Sequence, residues 1–313
     1  MGAGENAVPA SFADVVCVAS WNADLISHVA RPIARGETLM ARAFSICPGG
    51  KGSNAAVASA RQGARVALIA RIGDDDFGRM GLALWHTEGI DTEHVERVNG
   101  ERSGVAQILV YDDGDNSIAV YPGAGAGLQA RHAQAAEGLL GHCRVVMASC
   151  EVPVEATLEA FRLARGAGAL TLLNPAPARP LPDELLALVD VLTPNESELY
   201  QLAGPAHAGS VDAAALQLLA RGSRAVLVTL GASGCRLYEA GKAPVQLAGR
   251  SMEVRDTIGA GDTFTGVLAA ALARGESLAR AMQWANAGAA LSVTQHGAID
   301  GIPTRAAVAG LLA

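Results

Sequence analysis

Read for its apolar positions, the chain alternates between short continuous apolar runs and longer stretches with helical spacing. "DVVCVAS" (14–20), "RVALIARIG" (65–73), "RVVMAS" (144–149), "LTLLN" (170–174), "DVLTPN" (190–195) and "RAVLVTLG" (224–231) are runs of aliphatic residues too short for helices, and each predicts a buried strand. Between them, "GSNAAVASARQG" (52–63) sets Ala and Val at helical spacing and stops at Gly63. A second such stretch runs from about Gly78 to Glu88 and closes at Gly89, and "VEATLEAFRLARGAG" (154–168) is a third. This alternation is the pattern of a parallel sheet covered by helices on both faces. The last third turns helical, at about 260–273, 277–296 and 304–312.

Two stretches depart from the alternation. Residues 31–47 carry no helix signal and read as extended. "SGVAQILVYDDGDNSIAVYPGAG" (103–125) reads as a hairpin that turns at "DDGDN". Both border glycine-rich segments, and together they predict a small second sheet projecting from the main one. Its strands would leave an apolar face in need of cover. No long linker and no internal repeat divides the chain.

Composition narrows the partners. Half of the 313 residues are apolar, enough for one large core, and only 4% are aromatic, which suits close packing of helices on a sheet. The net charge of −7 comes without a basic block and argues against nucleic acid. Cys17, Cys47, Cys143, Cys150 and Cys235 form no C-x-x-C pair, so reduced thiols and a cytoplasmic setting are expected. The histidines lack zinc spacing, and no uninterrupted apolar run reaches membrane-spanning length. "MGAGENAVPASFADVV" (1–16) reads as a loose tail and not as a signal peptide.

Five short motifs carry candidate chemistry. "GGKGSN" (49–54) is not a P-loop, because Gly52 follows Lys51 where Ser or Thr would stand. It still exposes backbone beside one cation and one amide at a helix start, which suits a polyhydroxyl or phosphate ligand; a glycine turn with Asn54 as a cap is the plain alternative. In "WNAD", Asn22 and Asp24 follow the first strand and suit sugar hydroxyls, or else form an Asx turn. "TPNESE" offers Asn195 and two glutamates for Mg²⁺ through water, or a capped helix. "TLGASG" is a turn that could pass over a nucleotide. In "DTIGAGDTFTG", Gly259, Ala260 and Gly261 let backbone approach an anion at a helix start, and Asp262 is either a cap or a base beside it.

"GGKGSN" and "DTIGAGDTFTG", with "NAD", "LNPAPARPLPDELLALVDVLTPNE" and "VTLGASG" in order between and around them, resemble the signatures of the ribokinase-like (PfkB-type) carbohydrate kinases over about Val15 to Pro303. The resemblance implies a single α/β domain over 1–313. Its architecture would be a three-layer α/β/α arrangement with a mostly parallel sheet and a small β lid from about 22–47 and 101–124, usually paired into a homodimer through the lids. It implies ATP-dependent phosphorylation of D-ribose at its 5-hydroxyl. Asp262 falls on the catalytic base, and Gly259, Ala260 and Gly261 on the anion hole. Asn22, Asp24, Gly50, Lys51, Asn54 and Glu151 fall on sugar contacts. Asn195, Thr229, Gly231, Gly234, Gly261 and Asn286 fall on the nucleotide site. Glu198 is implied in Mg²⁺ binding through water. Asp256, Ile258, Ser292, Gln295 and Gly297 are implied in holding a monovalent cation such as K⁺, mainly through backbone carbonyls.

Three positions depart from the family pattern, the first a mild change that keeps the anion cradle open. Gly259 stands where many family members have Ala, Trp21 precedes "NAD", and Cys47 and Pro48 precede the glycines. Trp21 and Cys47 are expected to reshape the sugar pocket. Deoxyribose, fructose or a fructose phosphate are the alternative acceptors, and a non-catalytic sugar- or nucleotide-binding regulator is the alternative of another class. A dinucleotide oxidoreductase is excluded by the lack of G-x-G-x-x-G after the first strand.

Overall fold

A computed structural model describes residues 12–313. Most of the stretch read as a tail, residues 1–11, lies outside them. The strands are β1 (Val15–Ala19), β2 (Asn22–His28), β3 (Ala43–Gly49), β4 (Val66–Gly73), β5 (Asp91–Val98), β6 (Gly104–Val110), β7 (Asn116–Tyr121), β8 (Val145–Ser149), β9 (Leu170–Asn174), β10 (Val191–Leu192), β11 (Ala225–Thr229), β12 (Cys235–Glu239) and β13 (Val245–Leu247). The helices are α1 (Lys51–Arg61), α2 (Asp76–Thr87), α3 (Ala130–Ala135), α4 (Glu137–Leu140), α5 (Val154–Gly166), α6 (Asp183–Leu186), α7 (Glu196–Ala203), α8 (Val211–Ala220), α9 (Ala260–Ala273), α10 (Leu278–Ser292) and α11 (Arg305–Leu312).

The architecture is a three-layer α/β/α sandwich with a smaller separate sheet. The large sheet runs β13-β12-β11-β10-β9-β8-β1-β4-β5 and is parallel from β11 to β5. Strand parity divides its core. Val15, Cys17 and Ala19 face α1, α2, α9, α10 and α11, while Val16 and Val18 face α3 to α8. That two-sided burial is why these strands read as unbroken apolar runs.

Two glycines set how closely the first helical layer packs. A side chain on Gly266 would collide with the Ala55 carbonyl, so α9 and α1 meet nearly backbone to backbone. A Cβ on Gly52 would lie 2.6 Å from the Ala19 Cα, so α1 starts directly over the end of β1.

The small sheet has the order β3-β2-β6-β7. Its β6–β7 hairpin turns over residues 111–115, within the expected "DDGDN" region. The extended reading of 31–47 holds only from Ala43, because residues 29–42 form a loop. The missing strand is "NADLISH". Asn22 and Asp24 alternate with Ala23 and Leu25, and β2 pairs on both sides, antiparallel to β3 and parallel to β6. An Asx turn is therefore not what this motif forms. Three strands at the margins of the large sheet carried no expectation. They are the mostly polar β5 and the antiparallel pair β12 and β13, which cap the sheet at the side opposite β5.

Helix glycines in the two layers separate close packing from mere flexibility. Gly266→Val should lower unfolding free energy in a denaturant titration by about 1–3 kcal/mol. Gly166→Ala, in α5 with nothing within 4 Å of a built Cβ, should raise it by roughly 0.5–1 kcal/mol.

Candidate active site

Strand order reverses direction at β1, which has β8 on one side and β4 on the other, and a crevice opens there beyond the carboxyl ends of the strands. Ser20 follows β1, Glu151 follows β8, Asn174 ends β9, Thr193 and Asn195 follow β10, and Thr229 ends β11. The N-termini of α1 and α9 enter the same crevice from above.

Asp262 lies in the first turn of α9, after Gly259 has turned the chain through a left-handed conformation (φ 75°). It is 5% exposed. Its carboxylate does not cap its own helix. Oδ2 accepts from Asn54 Nδ2 at 2.9 Å, and Oδ1 accepts from Asn174 Nδ2 at 3.5 Å. Asn54 is not a cap either: its amide crosses to Asp262, and its own Oδ1 is buried without a partner. A buried amide oxygen in this state calls for a donor, from water or from a ligand.

The start of α1 is fastened from the other side. Glu151 Oε2 accepts from the Lys51 N–H at 2.8 Å and from Ser20 Oγ at 2.7 Å, and Ser20 Oγ accepts from the Gly52 N–H at 3.1 Å. Asp24, on β2, pairs directly with Cys47 on β3, and a side chain on Gly49 would collide with the Asp24 carboxylate. Asn22 sits at the root of the same strand, its amide oxygen against Gly104.

Four acids thus surround one lysine. Burial raises Asp262 to about 6; the Lys51 ammonium and the Asn54 amide pull it down, while Glu151 and Glu198 push it up. Burial raises Asp24 to about 7, helped by Glu151 and Asp262 and opposed by Lys51. Burial also raises Glu198, against the Asn195 N–H and Lys51. Lys51 itself is raised, first by the Asp262 carboxylate, with burial opposing. One lysine thus faces four acids, and burial holds Asp24, Glu198 and Asp262 toward their protonated forms.

Two cavities meet at the start of α9. A cleft of about 710 Å³ is lined by Asn195, Thr229, Gly231, Gly234 and Asn286 together with Phe264 and the 249–254 loop. A pocket of about 180 Å³ holds Lys51, Asn174, Glu198, Gly259 and Asp262. Asn195, Thr229, Thr257, Ala260 and Gly261 line both. Asn195 and Glu198 form a capping box on α7: the Glu198 N–H donates to Asn195 Oδ1 at 2.8 Å, and the Asn195 N–H donates to Glu198 Oε2 at 2.8 Å. The capping alternative is therefore realised, yet the box also faces the small pocket. Asn286 Nδ2 donates to the Ala248 carbonyl at 3.0 Å and ties α10 to the cleft wall.

The residues expected around a monovalent cation lie on two adjoining loops. Asp256 accepts from the Ile258 N–H at 2.9 Å and from the Gly297 N–H at 2.8 Å. Ser292 ends α10, buried, and its carbonyl accepts from the Gln295 N–H at 3.5 Å, while the Gln295 side chain is exposed. Among the described residues, no three His, Cys, Asp or Glu side chains converge as a direct metal cage, and no helix is long and apolar enough to cross a membrane.

Residues 13–305 match the pfkB family carbohydrate kinase model. The chain belongs to the pfkB family of carbohydrate kinases. It is 38% identical to a ribokinase of Haemophilus influenzae, over 91% of this chain and 94% of that one. It is 34% identical to a deoxyribokinase of Salmonella typhi, over 93% and 96%. In fold it is similar to the structure of Arabidopsis thaliana ribokinase complexed with ribose and ATP, with a TM-score of 0.90 and 31% identity over 96% of this chain and 99% of that chain.

In this pfkB kinase, two residues of the crevice carried no expectation. Asn174 gives Asp262 its second amide, and Ser20 fastens Glu151 and α1. Each stands at the end of an apolar run, as Asn22 does, and that position was the available signal. Trp21 does not reshape a sugar pocket. It is 3% exposed, stacks edge-on against Trp85 at 5.4 Å and donates to the Phe77 carbonyl, because Gly81 of α2 leaves room only for the indole. Cys47 pairs directly with Asp24 and lies on the same face of the small sheet.

Carboxylates held above their unfolded pKa weaken the ligand-free fold as pH rises. For Asp24 the native state binds the proton more tightly, so stability falls between the ordinary carboxylate range and about 7. Asp24→Asn should therefore raise the stability of the ligand-free chain at pH 8 by on the order of 1 kcal/mol and have little effect at pH 4, read from melting curves at both pH values.

Proposed function

We propose that the protein is an ATP-dependent kinase that transfers a phosphoryl group to the 5-hydroxyl of D-ribose, giving D-ribose 5-phosphate and ADP. The observation that carries this reading is the position of Asp262: a buried carboxylate at the start of α9, where a nucleotide-sized cleft narrows into a pocket shared with Lys51. Ribose and ATP are what the Arabidopsis thaliana ribokinase binds in its complex, and that protein shares this fold at 31% identity.

ATP lies in the larger cleft, with its base near Asn286 and its phosphates passing Thr229 and Gly231 toward Gly261. The first amides of α9 have no partners within the helix and face the phosphates, and the helix dipole adds to their pull. The sugar lies under the small sheet, which acts as a lid. Asn22, Asp24 and Asn54 take its ring hydroxyls, and the unpartnered Asn54 oxygen gains a donor. Glu151 holds the Lys51 backbone and the sugar edge. Asp262 accepts the proton of the attacking hydroxyl as the new O–P bond forms and the bond to ADP breaks. Lys51 offsets charge on the transferring group, and closure of the lid keeps water from taking the sugar's place.

The acids present fit Mg²⁺ carried in on ATP, since Glu198 faces the pocket and Mg²⁺ usually keeps its waters and one or two carboxylates. Bound there, the ion neutralises the phosphate oxygens. K⁺ suits the carbonyl-rich loops that Asp256 ties together, and it would order the turn leading into Gly259. The exposed Phe44, Ile46, Ile118, Val120 and Tyr121 of β3 and β7 support a homodimer joined through the lids, and three buried thiols with the half-buried Cys143, all raised by burial, fit a reducing cytoplasm. Deoxyribose is the second reading, supported by the deoxyribokinase relative and by Cys47 opposite Asp24.

Coupled ADP-release assays with ribose, deoxyribose, fructose and fructose phosphates, with and without K⁺, should show turnover highest with ribose and raised by K⁺. Preference for another sugar would reassign the acceptor and keep the chemistry. Asp262→Asn should keep ATP binding and lower kcat by about 10³-fold or more; near-normal turnover would remove the base assignment. For the unmodified chain, kcat/KM for the sugar should fall as pH drops through about 6, because the protonated Asp262 cannot accept the hydroxyl proton.

A further inference from the structure

The paired strands β2 and β6 leave the body of the protein at neighbouring points, and both points rest on the first turn of α2. β2 starts at Asn22, just after Trp21, and β6 starts at Gly104, just after Ser103. Asp75 is the N-cap of α2, and its Oδ1 accepts from the Gly78 N–H at 2.8 Å. The same carboxylate also holds Ser103, a residue 28 positions away. Oδ1 accepts from Ser103 Oγ at 2.7 Å, and Oδ2 accepts from the Ser103 N–H at 2.9 Å. Ser103 is fully buried, and its Oγ further accepts from the Gly73 N–H at 3.1 Å at the end of β4. Two residues into the helix, the Phe77 carbonyl accepts from Trp21 Nε1 at 3.1 Å.

A helix cap needs one oxygen, and Ser or Asn supplies it about as well as Asp. The cap therefore leaves the second oxygen of Asp75 unexplained, whereas the Ser103 amide accounts for it. Although burial works the other way, the donors from Ser103 and Gly78 hold the carboxyl below its ordinary range, so it is charged at neutral pH. Position travels from Ser103 to the sugar residues over a short path. Gly104 pairs with Asn22 and Ala106 with Asp24, and the Asn22 amide oxygen already fills the space a side chain on Gly104 would need.

We propose that Asp75 is a positioning residue for the sugar side of the site: with the Trp21–Phe77 bond it pins the roots of β2 and β6 to α2, and so holds Asn22 and Asp24 in register with Lys51 and Asp262. The inference rests on the sugar-kinase reading for its kinetic consequence, and on the hydrogen bonds alone for its structural one.

Asp75→Ser keeps an oxygen for the cap and loses the one that holds the Ser103 amide; Ser103→Ala keeps the whole cap and removes the hydroxyl link. Hydrogen–deuterium exchange on the full ligand-free chain should show amides of 22–26 and 104–108 exchanging roughly tenfold faster in Asp75→Ser, with α2 and β4 unchanged. Ser103→Ala should move the same amides in the same direction, together with the Gly73 amide at the end of β4, which loses its own acceptor; β4 before Gly73 stays unchanged, and this variant serves alone if Asp75→Ser does not fold. In kinetics, KM for the sugar should rise roughly tenfold while KM for ATP stays the same. Unchanged exchange in β2 and β6, or a rise shared with α2 and β4, would overturn the proposal and leave Asp75 a cap only. An equal rise in both KM values would overturn the sugar-side assignment. If the unmodified chain turned over no sugar, the kinase reading would fail by itself, and the exchange pattern would still decide whether Asp75 pins the strands.

Discussion

Everything in the crevice depends on how closely α9 lies against α1. Gly266 removes the side chain that would hold the helices apart, and Gly52 lets α1 begin over the end of β1. The two N-termini consequently open into one space, and Asn54 reaches Asp262 across 208 positions of sequence. Both termini carry partial positive charge, and Lys51 adds a full one. Such a concentration of positive potential favours anions, and the protein supplies its own in Asp24, Glu151, Glu198 and Asp262. Burial resists ionisation of Asp24, Glu198 and Asp262. An arriving phosphate would take over part of what these carboxylates now do for the helix ends and Lys51.

The site answers the ambiguity that each motif carries alone. Asn195 is a helix cap, as its plain reading says, yet it also lines both cavities. Asp262 sits at a helix start without capping that helix, its carboxylate turned to two amides from other elements. The capping and functional readings are thus not exclusive. A residue satisfied by its own helix can present its remaining atoms to a ligand, and only the direction of the side chain shows which atoms remain.

Much of this was legible in the sequence, for reasons that can be named. β1, β4, β8, β9 and β11 are buried on both faces, so their apolar runs survive as an unmistakable pattern. β5 is an edge strand with polar residues along it, and β12 and β13 pair antiparallel outside the repeating unit, so neither carries that pattern. "NADLISH" was opaque because its alternation begins with two polar residues that face the crevice. Asn174 and Ser20 stand at strand ends, but nothing local distinguishes them from ordinary polar residues at such positions. Trp21 illustrates the opposite case: adjacency to Asn22 in sequence suggested the pocket, whereas Trp21 precedes β2 and its indole turns toward Gly81 and Trp85.

The sequence separations in the crevice also bear on how the protein is made. Glu151 meets Lys51 from 100 positions away and Ser20 from 131, and Asn54 waits for a partner on α9. A growing chain therefore emerges from the ribosome with the first half of the crevice present and its decisive carboxylate still unmade. Until α9 and α10 have been synthesised and docked, the large cleft lacks Phe264 and Asn286 and one of its walls. Ligands can stabilise only the finished fold, so the early segments must stand on their own packing or on chaperones during translation.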